Sequence, residues 1–533
     1  MNYIYILCAL FAFFSTMPTA IKAQNYTYEK EYPHREVRAV WLTTLSGLDW
    51  PKVMANSLEG VNRQKSDLCR LLDAYKRANI NTVIFQTRVR GSVLYPSAIE
   101  PWCDCLTGKP GKDPGYDPLA FCVEECHKRG MECHAWVVAI PLGKNQKAYG
   151  NASIMKKRKE LCRTVGGEMF MIPGKEGTAD YIAELCKEIV TNYDVDGISL
   201  DYIRYPESFY RFSDDDCYPK GCSMSKAEWR RENITRIVRR LHDVVKPIKP
   251  WVKLSSSPIG KYADLSRYSS KGWNCYNAVY QDPQMWLKEN LQDLLFPMMY
   301  FIGDHFYPFV FNWRECSYGH PVIPGLGIYF LDPREGNWKL NDVRAEMHTS
   351  RNSGIGGFAF YRGDFLTRNC KGIYDATCDE FCPYPSLTTR MTWMGDTVAP
   401  AAPKSIRYDE SRITWTPVQS SSAEKTGNIL YNVYGSNVYP VDVTKAENLL
   451  AVNVRKNSFD RGGRALKCRY FAVTAIDRLG NESEAVQEER SSFELPEYIN
   501  VPRLINHDLA KTANTAKTKT KTKTNTKTKK TKK

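Results

Sequence analysis

Short, nearly continuous apolar runs alternate with helical patterns along the first 385 residues of the chain. Such runs are typical of parallel strands that are buried on both faces of a sheet. Between several of them, apolar residues recur at helical spacing, and the pattern stops at Asn or Gly as helices often do. The eight runs predicted to be strands are 38–45, 82–88, 132–140, 196–206, 253–257, 294–301, 321–329 and 355–361. Eight β/α units over residues 33–385 predict an α/β fold, a (β/α)8 TIM barrel.

The active site of such a barrel lies at the carboxyl ends of its strands, so polar residues there are the candidates for chemistry. The fourth run ends in an acid, a guanidinium and two aromatic rings, from Asp201, Arg204, Tyr202 and Tyr205. Polar groups beside aromatic faces suit a sugar, which offers hydroxyls and a C–H face. A structural ion pair is the alternative for this cluster. The other strand ends add the predicted substrate-binding residues Arg88, His134, Trp136, Tyr300, Tyr329, Arg362 and Asp364.

Hydrolysis of a glycosidic bond generally requires two carboxyl groups. Asp201 is the predicted first catalytic carboxylate, with Arg88, Arg204 or Tyr202 as the residue that could hold it ionised. Asp304, just past the sixth run and beside aromatic residues, is predicted to be the catalytic acid, with Asp364 and Glu207 as the alternatives.

Some candidates have plain alternatives. Arg88 and Arg90 are two positions apart in one strand region, and we expect only one of them, Arg88, to point into the site. His134 could equally be a hydrogen-bonded core histidine.

A metal-dependent hydrolase is disfavoured because the chain has no HxH or HExxH motif. A zinc site at the clustered cysteines near His127 and His134 is disfavoured because no paired CxxC spacing supports it. We therefore predict neither a metal nor a cofactor.

Several motifs follow one another along the predicted barrel. They are Arg38-Ala-Val-Trp-Leu-Thr-Thr, Phe85-Gln-Thr-Arg-Val-Arg-Gly, Tyr116-Asp-Pro-Leu-Ala-Phe, His134-Ala-Trp and Asp196-Gly-Ile-Ser-Leu-Asp-Tyr-Ile-Arg-Tyr-Pro. Over roughly residues 33–385 they resemble the glycosyl hydrolase-like 10 family of bacterial exported proteins. One branch of that family is similar to a cell-division glycosidase that acts on peptidoglycan glycan strands stripped of peptide. The resemblance implies a glycoside hydrolase that cleaves O-glycosidic bonds of a polysaccharide, with peptidoglycan glycan strands as one candidate substrate.

One departure from the family pattern supports an alternative function. Many relatives carry Asp-Asp-Tyr after the fourth strand, where this chain has Asp201 followed directly by Tyr202. Without the second acid, the same rim of residues could serve a barrel that binds glycan for adhesion and does not cut it.

The pattern changes after a linker predicted for residues 386–399. Short alternating runs follow, with a candidate core Trp at Trp415 and a characteristic strand and turn at 470–483. They resemble a fibronectin type III domain, a small all-β sandwich of about 100 residues, over residues 400–495.

The two ends of the chain differ from the rest in composition. Residues 1–23 read as a signal peptide, so we expect a bacterial protein exported to the periplasm, the cell surface or the medium. No other segment is apolar for long enough to cross a membrane. The Lys/Thr-rich tail at 507–533 is predicted to be disordered. Its ten Lys and lack of acids within 511–533 account for most of the formal charge of +15.

The function of this tail and the state of the cysteines are open to two interpretations each. The tail is either a solvated extension or an adhesive segment for an anionic cell-wall polymer. It has no aromatic residues between its lysines, so specific binding to nucleic acid is not expected. The seventeen cysteines of an exported chain predict some disulfides, although cysteines at helical spacing could simply pack.

Overall fold

The computed structural model describes residues 32–268, 271–418 and 428–487. The predicted signal peptide and the Lys/Thr-rich tail lie outside these residues, as do residues 488–495 of the predicted C-terminal domain. Among the helices of the described part of the chain, none is long and apolar enough to cross a bilayer.

Eight parallel strands form one curled sheet. They are β1 (Val37–Leu42), β2 (Thr82–Arg88), β3 (Glu132–Val138), β4 (Gly197–Asp201), β5 (Lys253–Ser256), β6 (Leu294–Leu295), β7 (Gly325–Leu326) and β8 (Gly357–Phe360). Strands β1 to β6 pair in succession, β7 pairs with β8, and β8 pairs with β1. Parallel bridges from Leu295 to Val322 and from Met298 to Gly325 join the β6 segment to the β7 segment and close the ring. The predicted α/β barrel is confirmed.

The barrel has an inner and an outer core because successive residues of a strand face opposite sides. Trp41, Ile84, Trp136 and Phe296 belong to the cluster that fills the inside of the ring. Their sequence neighbours, such as Val40 of β1, pack outward against the surrounding helices. The apolar runs were nearly continuous for this reason.

Helices surround the sheet. They are Leu58–Arg77, Asp104–Thr107, Pro118–Lys128, Ile154–Lys157, Glu176–Asn192, Lys226–Val245, Cys275–Ala278, Pro283–Lys288, Tyr307–Glu315, Leu340–Asn352, Gly363–Thr367 and Ile373–Asp375. The first begins at Ser57, whose hydroxyl accepts a hydrogen bond from the Gly60 amide at 3.2 Å and so caps the helix. Leu68, Leu72 and Tyr75 recur on one face of it and are fully buried, each contributing about 1.5–3 kcal/mol by burial.

An insertion between β3 and the helix Glu176–Asn192 adds a small antiparallel sheet. Its strands are Pro141–Gly143, Cys162–Val165 and Glu168–Met171, paired so that the last lies in the middle. It begins directly after the carboxyl end of β3, and so it stands at the end of the barrel where substrate would bind.

Two further antiparallel sheets follow the barrel. One contains Lys404–Tyr408, Arg412–Thr416 and Ser458–Asp460; the other contains Leu430–Ser436, Leu449–Val454, Tyr470–Ile476 and Val486–Gln487. Trp415 of the first sheet and Tyr431, Val433 and Phe471 of the second are buried in one shared core. The alternating apolar pattern of this region therefore reflects two sheets packed face to face.

The segment predicted as a linker is packed against the barrel. Leu387 is buried and forms a parallel bridge with Arg35. The indole of Trp393 donates a hydrogen bond to Asp293 at 2.8 Å, and its ring centroid lies 4.5 Å from that of His320. Residues 386–393 therefore extend the fold of the barrel.

The barrel and the C-terminal sheets belong to one compact unit. Arg478, in the turn after the strand Tyr470–Ile476, donates to Asp194 at 2.9 Å and to Asp196 at 2.7 Å. Asp196 immediately precedes β4 and also accepts hydrogen bonds from His127 and from the Cys133 amide. The C-terminal sheets therefore contact the amino-terminal end of the strand whose other end carries Asp201.

Sixteen cysteines lie in the described part of the chain, and none of them forms a disulfide. Half of them are buried, where cysteine packs as a small apolar side chain. The sulfurs of Cys122 and Cys133 are 3.9 Å apart, far beyond the bond length of about 2.05 Å. The expected disulfides are therefore absent among these residues.

Candidate active site

A cavity of about 580 Å³ opens at the carboxyl ends of the barrel strands. Residues from the strand ends, from the insertion after β3 and from the loops after β4 and β5 all contribute to its wall. The polar and aromatic residues that line it include Gln86, Arg90, Trp136, Glu168, Phe170, Asp201, Tyr202, Arg204, Tyr205, Glu207, Tyr210, Trp273 and Tyr361.

Asp201 is the last residue of β4 and is buried in the wall of this cavity. Its carboxylate accepts hydrogen bonds from the Trp136 indole at 3.1 Å and from the Tyr202 amide at 2.6 Å. Burial raises the pKa of Asp201 above its ordinary value, although the nearby Arg204 lowers it. Tyr202 adopts a left-handed backbone φ of 51°, which is rare for a bulky residue and is found more often at functional sites.

Arg204 pairs with a second acid of the cavity wall. It is buried, and it donates to the Glu207 carboxylate at 2.9 Å. Its guanidinium lies over the rings of Tyr202 and Trp273, at 4.2 and 5.7 Å from their centroids. Among the described residues, its Nε and Nη1 atoms are buried and have no hydrogen-bond partner.

Three tyrosines at the far strand ends form one cluster. Tyr361 lines the cavity. Tyr300 stacks on it with ring centroids 5.2 Å apart, and Tyr329 meets both rings edge-on at 5.8 and 5.7 Å. Tyr300 and Tyr329, predicted to bind substrate, are not among the described residues that line the cavity and instead support the ring that does.

We expected Arg88, and not Arg90, to point into the site, and the structure has the reverse arrangement. Arg88 is fully buried and pairs with Glu100 through two hydrogen bonds of 2.8 and 2.6 Å, whereas Arg90 lines the cavity. The register between β2 and β3 shifts between Gln86 and Arg88, and a bulge of this kind breaks the alternation of strand side chains. The bidentate contact of Arg88 is structural, because it joins β2 to the following loop.

His134 lies near the amino-terminal end of the barrel. It pairs in register with Gly197, four residues or about 13 Å along β4 from Asp201. Its Nε2 is 3.0 Å from Glu132, which also pairs with Lys253. A side chain at Gly197 would place a Cβ 2.6 Å from the imidazole, which explains why glycine follows Asp196 in the motif. His134 therefore occupies the position of a core histidine.

Three other predicted residues are not among the described residues that line the cavity. Asp304 is exposed in the short helical turn Gly303–His305. Arg362 pairs with Asp49 and donates to the carbonyl of Leu48 at 2.9 Å. Asp364 accepts a hydrogen bond from Arg368 at 2.8 Å.

The cavity also contains residues that the sequence did not point to. Glu168 and Phe170 come from the insertion, and Trp273 comes from the long loop after β5. Gln86 was visible at a strand end; its side-chain oxygen accepts from the amides of Thr44 and Leu45 at 2.8 Å each. The local sequence around Glu168 and Trp273 carries no signal that would place them here.

A second cavity of about 530 Å³ adjoins the first. Leu45, Val89 and Arg90 line both of them. Its own wall includes Lys52 and Lys144. Together the two cavities offer a binding region longer than a single sugar would fill.

The sequence model of the glycosyl hydrolase-like 10 family matches residues 36–306. The chain belongs to this family. It is a glycoside hydrolase, as the sequence predicted. The match to the glycosyl hydrolase-like 10 family spans β1 to β6, so Asp201, Arg204 and Glu207 lie inside the family region, whereas Arg362 and Asp364 lie beyond it.

Two relatives are similar to this chain over stretches longer than the family match. The glycosyl hydrolase YngK of Bacillus subtilis (strain 168) is 28% identical over 491 residues, covering 85% of this chain and 92% of YngK. The glycosyl hydrolase DigH of Escherichia coli (strain K12) is 34% identical over 307 residues, covering 54% and 69%. The glycoside hydrolase domain of PgaB (BpsB) from Bordetella bronchiseptica superposes with a TM-score of 0.44 at 15% identity, covering 67% of this chain and 100% of that domain.

Proposed function

We propose that the protein hydrolyses O-glycosidic bonds of a polysaccharide in the cavity beside β4, with Asp201 and Glu207 as its two carboxyl groups. One observation carries the proposal. Both acids line one cavity together with Arg204, which donates to Glu207 at 2.9 Å. Glycoside hydrolysis requires two carboxyl groups at one site.

The different surroundings of the two acids support different roles. The sequence predicted an ionised Asp201 and a different residue as the acid. Burial raises the pKa of Asp201 instead, and this suits the general acid that protonates the leaving oxygen. The Glu207 side chain is 22% exposed and forms an ion pair with Arg204. That position suits the carboxylate that activates water or attacks the sugar.

The walls of the cavity support a carbohydrate chain as the substrate. The rings of Tyr202, Trp273 and Tyr361 offer faces for sugar C–H groups. The adjoining second cavity leaves room for further sugars of a polymer. Peptidoglycan glycan strands are our first candidate, on the strength of the family resemblance.

The two acids and the sequence-based choice of Asp304 can be separated by experiment. We compare Asp201→Asn, Glu207→Gln and Asp304→Asn on the polysaccharide and on an aryl glycoside with a good leaving group. Both cavity variants should lose at least about 10³-fold in kcat/KM on the polysaccharide. Asp201→Asn should recover on the aryl glycoside, because a good leaving group needs no protonation, whereas Glu207→Gln should not.

Asp304→Asn is the matched control, since Asp304 is an exposed acid outside the cavity wall. It should keep the activity of the wild type on both substrates. A large loss in Asp304→Asn that the aryl glycoside restores would instead identify Asp304 as the acid and contradict our assignment.

We further propose that the C-terminal sheets are a fibronectin type III domain and that the protein is exported. A three-stranded and a four-stranded antiparallel sheet around Trp415, whose ring lies 5.2 Å from that of Tyr431, support the first proposal. The signal-peptide pattern of residues 1–23 supports the second. The lysine-rich tail would then bring the enzyme to an anionic polymer of the cell wall.

A further inference from the structure

Three cysteines that are apart in the sequence converge outside the active site. Cys122 and Cys126 lie one turn apart on the helix Pro118–Lys128, and Cys133 lies on β3. Their three sulfur atoms all lie within 4.8 Å of one another. All three side chains are fully buried between the helix and the sheet. We call this group the three-cysteine cluster.

The spacing of the sulfurs fits a shared metal ion. Metal–thiolate bonds of about 2.3 Å place two sulfurs of one ion about 3.8–4.0 Å apart. The sulfurs of Cys122 and Cys133 are 3.9 Å apart. A disulfide would need about 2.05 Å instead.

We propose that the three-cysteine cluster binds one soft, thiophilic metal cation through three sulfurs. All three donors are sulfur, which selects ions such as Cd²⁺, Zn²⁺ or Cu⁺ over Mg²⁺ or Ca²⁺. Binding forms three metal–sulfur bonds, and each of the three thiols loses its proton to solvent as its sulfur binds the ion. The ion joins the helix Pro118–Lys128 to β3 at Cys133. Cys133 lies three residues before Trp136, whose indole donates to Asp201, so the ion stabilises the strand that positions this donor.

The test uses the full chain, reduced and freed of metal, with Cd²⁺ as the probe. We expect one equivalent to bind, with an ultraviolet thiolate-to-metal charge-transfer band, release of thiol protons as the ion binds, and a higher thermal unfolding midpoint. Cys126→Ala and Cys133→Ala should lose the band and the rise in midpoint. Cys186→Ala is the matched control, because Cys186 is equally buried in the same barrel but outside the cluster, and it should keep both.

Folding of each variant is checked by far-ultraviolet circular dichroism before metal is added. If a single Ala variant does not fold, Cys122→Ser, which keeps a small polar side chain on the helix, replaces it. The proposal is overturned if the reduced wild type binds no cadmium in this mode, or if Cys126→Ala and Cys186→Ala bind it equally. A Cys122–Cys133 disulfide found by peptide mapping of the protein as isolated would also overturn it.

Discussion

Arg478 offers a quantitative test of how the C-terminal sheets stabilise the barrel. Its side chain is 5% exposed and pairs with Asp196, itself 10% exposed. Removing one partner of a buried ion pair costs about 3–5 kcal/mol, because the other charge is left without compensation. Asp196 keeps its hydrogen bonds from His127 and the Cys133 amide, so we expect Arg478→Met to cost about 3 kcal/mol.

The matched control is Arg412→Met in the same pair of sheets. Arg412 pairs with Asp460 at 2.6 Å, but the two side chains are 55% and 78% exposed. Exposed pairs contribute about 0–1 kcal/mol. Urea unfolding followed by tryptophan fluorescence should therefore separate the two variants by about 2 kcal/mol or more. An Arg478→Met midpoint no lower than that of Arg412→Met would refute the reasoning.

The same pair predicts a pH dependence. Burial raises the pKa of Asp196, but His127 and Arg478 outweigh it and hold that pKa well below its ordinary value. The pair therefore contributes its full stability above the unfolded pKa of about 3.9 and loses it as the pH falls further. The difference between wild type and Arg478→Met should be constant near neutral pH and shrink below about pH 4.

Three further predictions concern the site and the tail. Arg90→Met should raise KM for the glycan, measured by initial rates, with little change in the free energy of unfolding. Arg88→Met should lower the free energy of unfolding in urea by about 3–5 kcal/mol, because it leaves buried Glu100 without its ion-pair partner; the reverse pattern would contradict the bulge. Burial raises the pKa of Asp201 and Arg204 lowers it, so Arg204→Met should raise that pKa further and move the basic limb of the pH profile of kcat/KM to higher pH. An unmoved limb would argue against Asp201 as the acid. A chain ending at Asn506 should keep its turnover and lose binding to anionic cell-wall material at low salt; unchanged binding would make the tail a solvated extension.

The barrel could be predicted because its strands are buried on both faces. An apolar run of that kind can be recognised from local sequence alone. The run that forms β4 continues directly into residues that line the cavity, which are Asp201, Tyr202, Arg204 and Tyr205. Trp136 likewise lines the cavity at the end of β3. The carboxyl ends of parallel strands meet at one edge, so these positions follow from the fold.

The remaining site residues depend on features that a strand pattern does not contain. A register shift after Gln86 exchanges the roles of Arg88 and Arg90. Glu168 and Trp273 reach the cavity from an insertion and a long loop, whose paths are set by tertiary packing. Asp304 and Glu207 both follow strand ends, so the sequence pattern could not choose between them. The path of each loop decides which acid reaches the cavity, and of the two only Glu207 lines it.

The most direct test of the central claim is product analysis in isotopically labelled water. Peptidoglycan glycan strands and a panel of other glycans are incubated with wild type and with Asp201→Asn, and new reducing ends are counted by mass spectrometry. We predict labelled reducing ends from at least one glycan with the wild type. We predict Asp201→Asn to bind that glycan but cut it at least about 10³-fold more slowly. A wild type that binds glycans and cuts none, or an Asp201→Asn protein with normal turnover, would contradict the account.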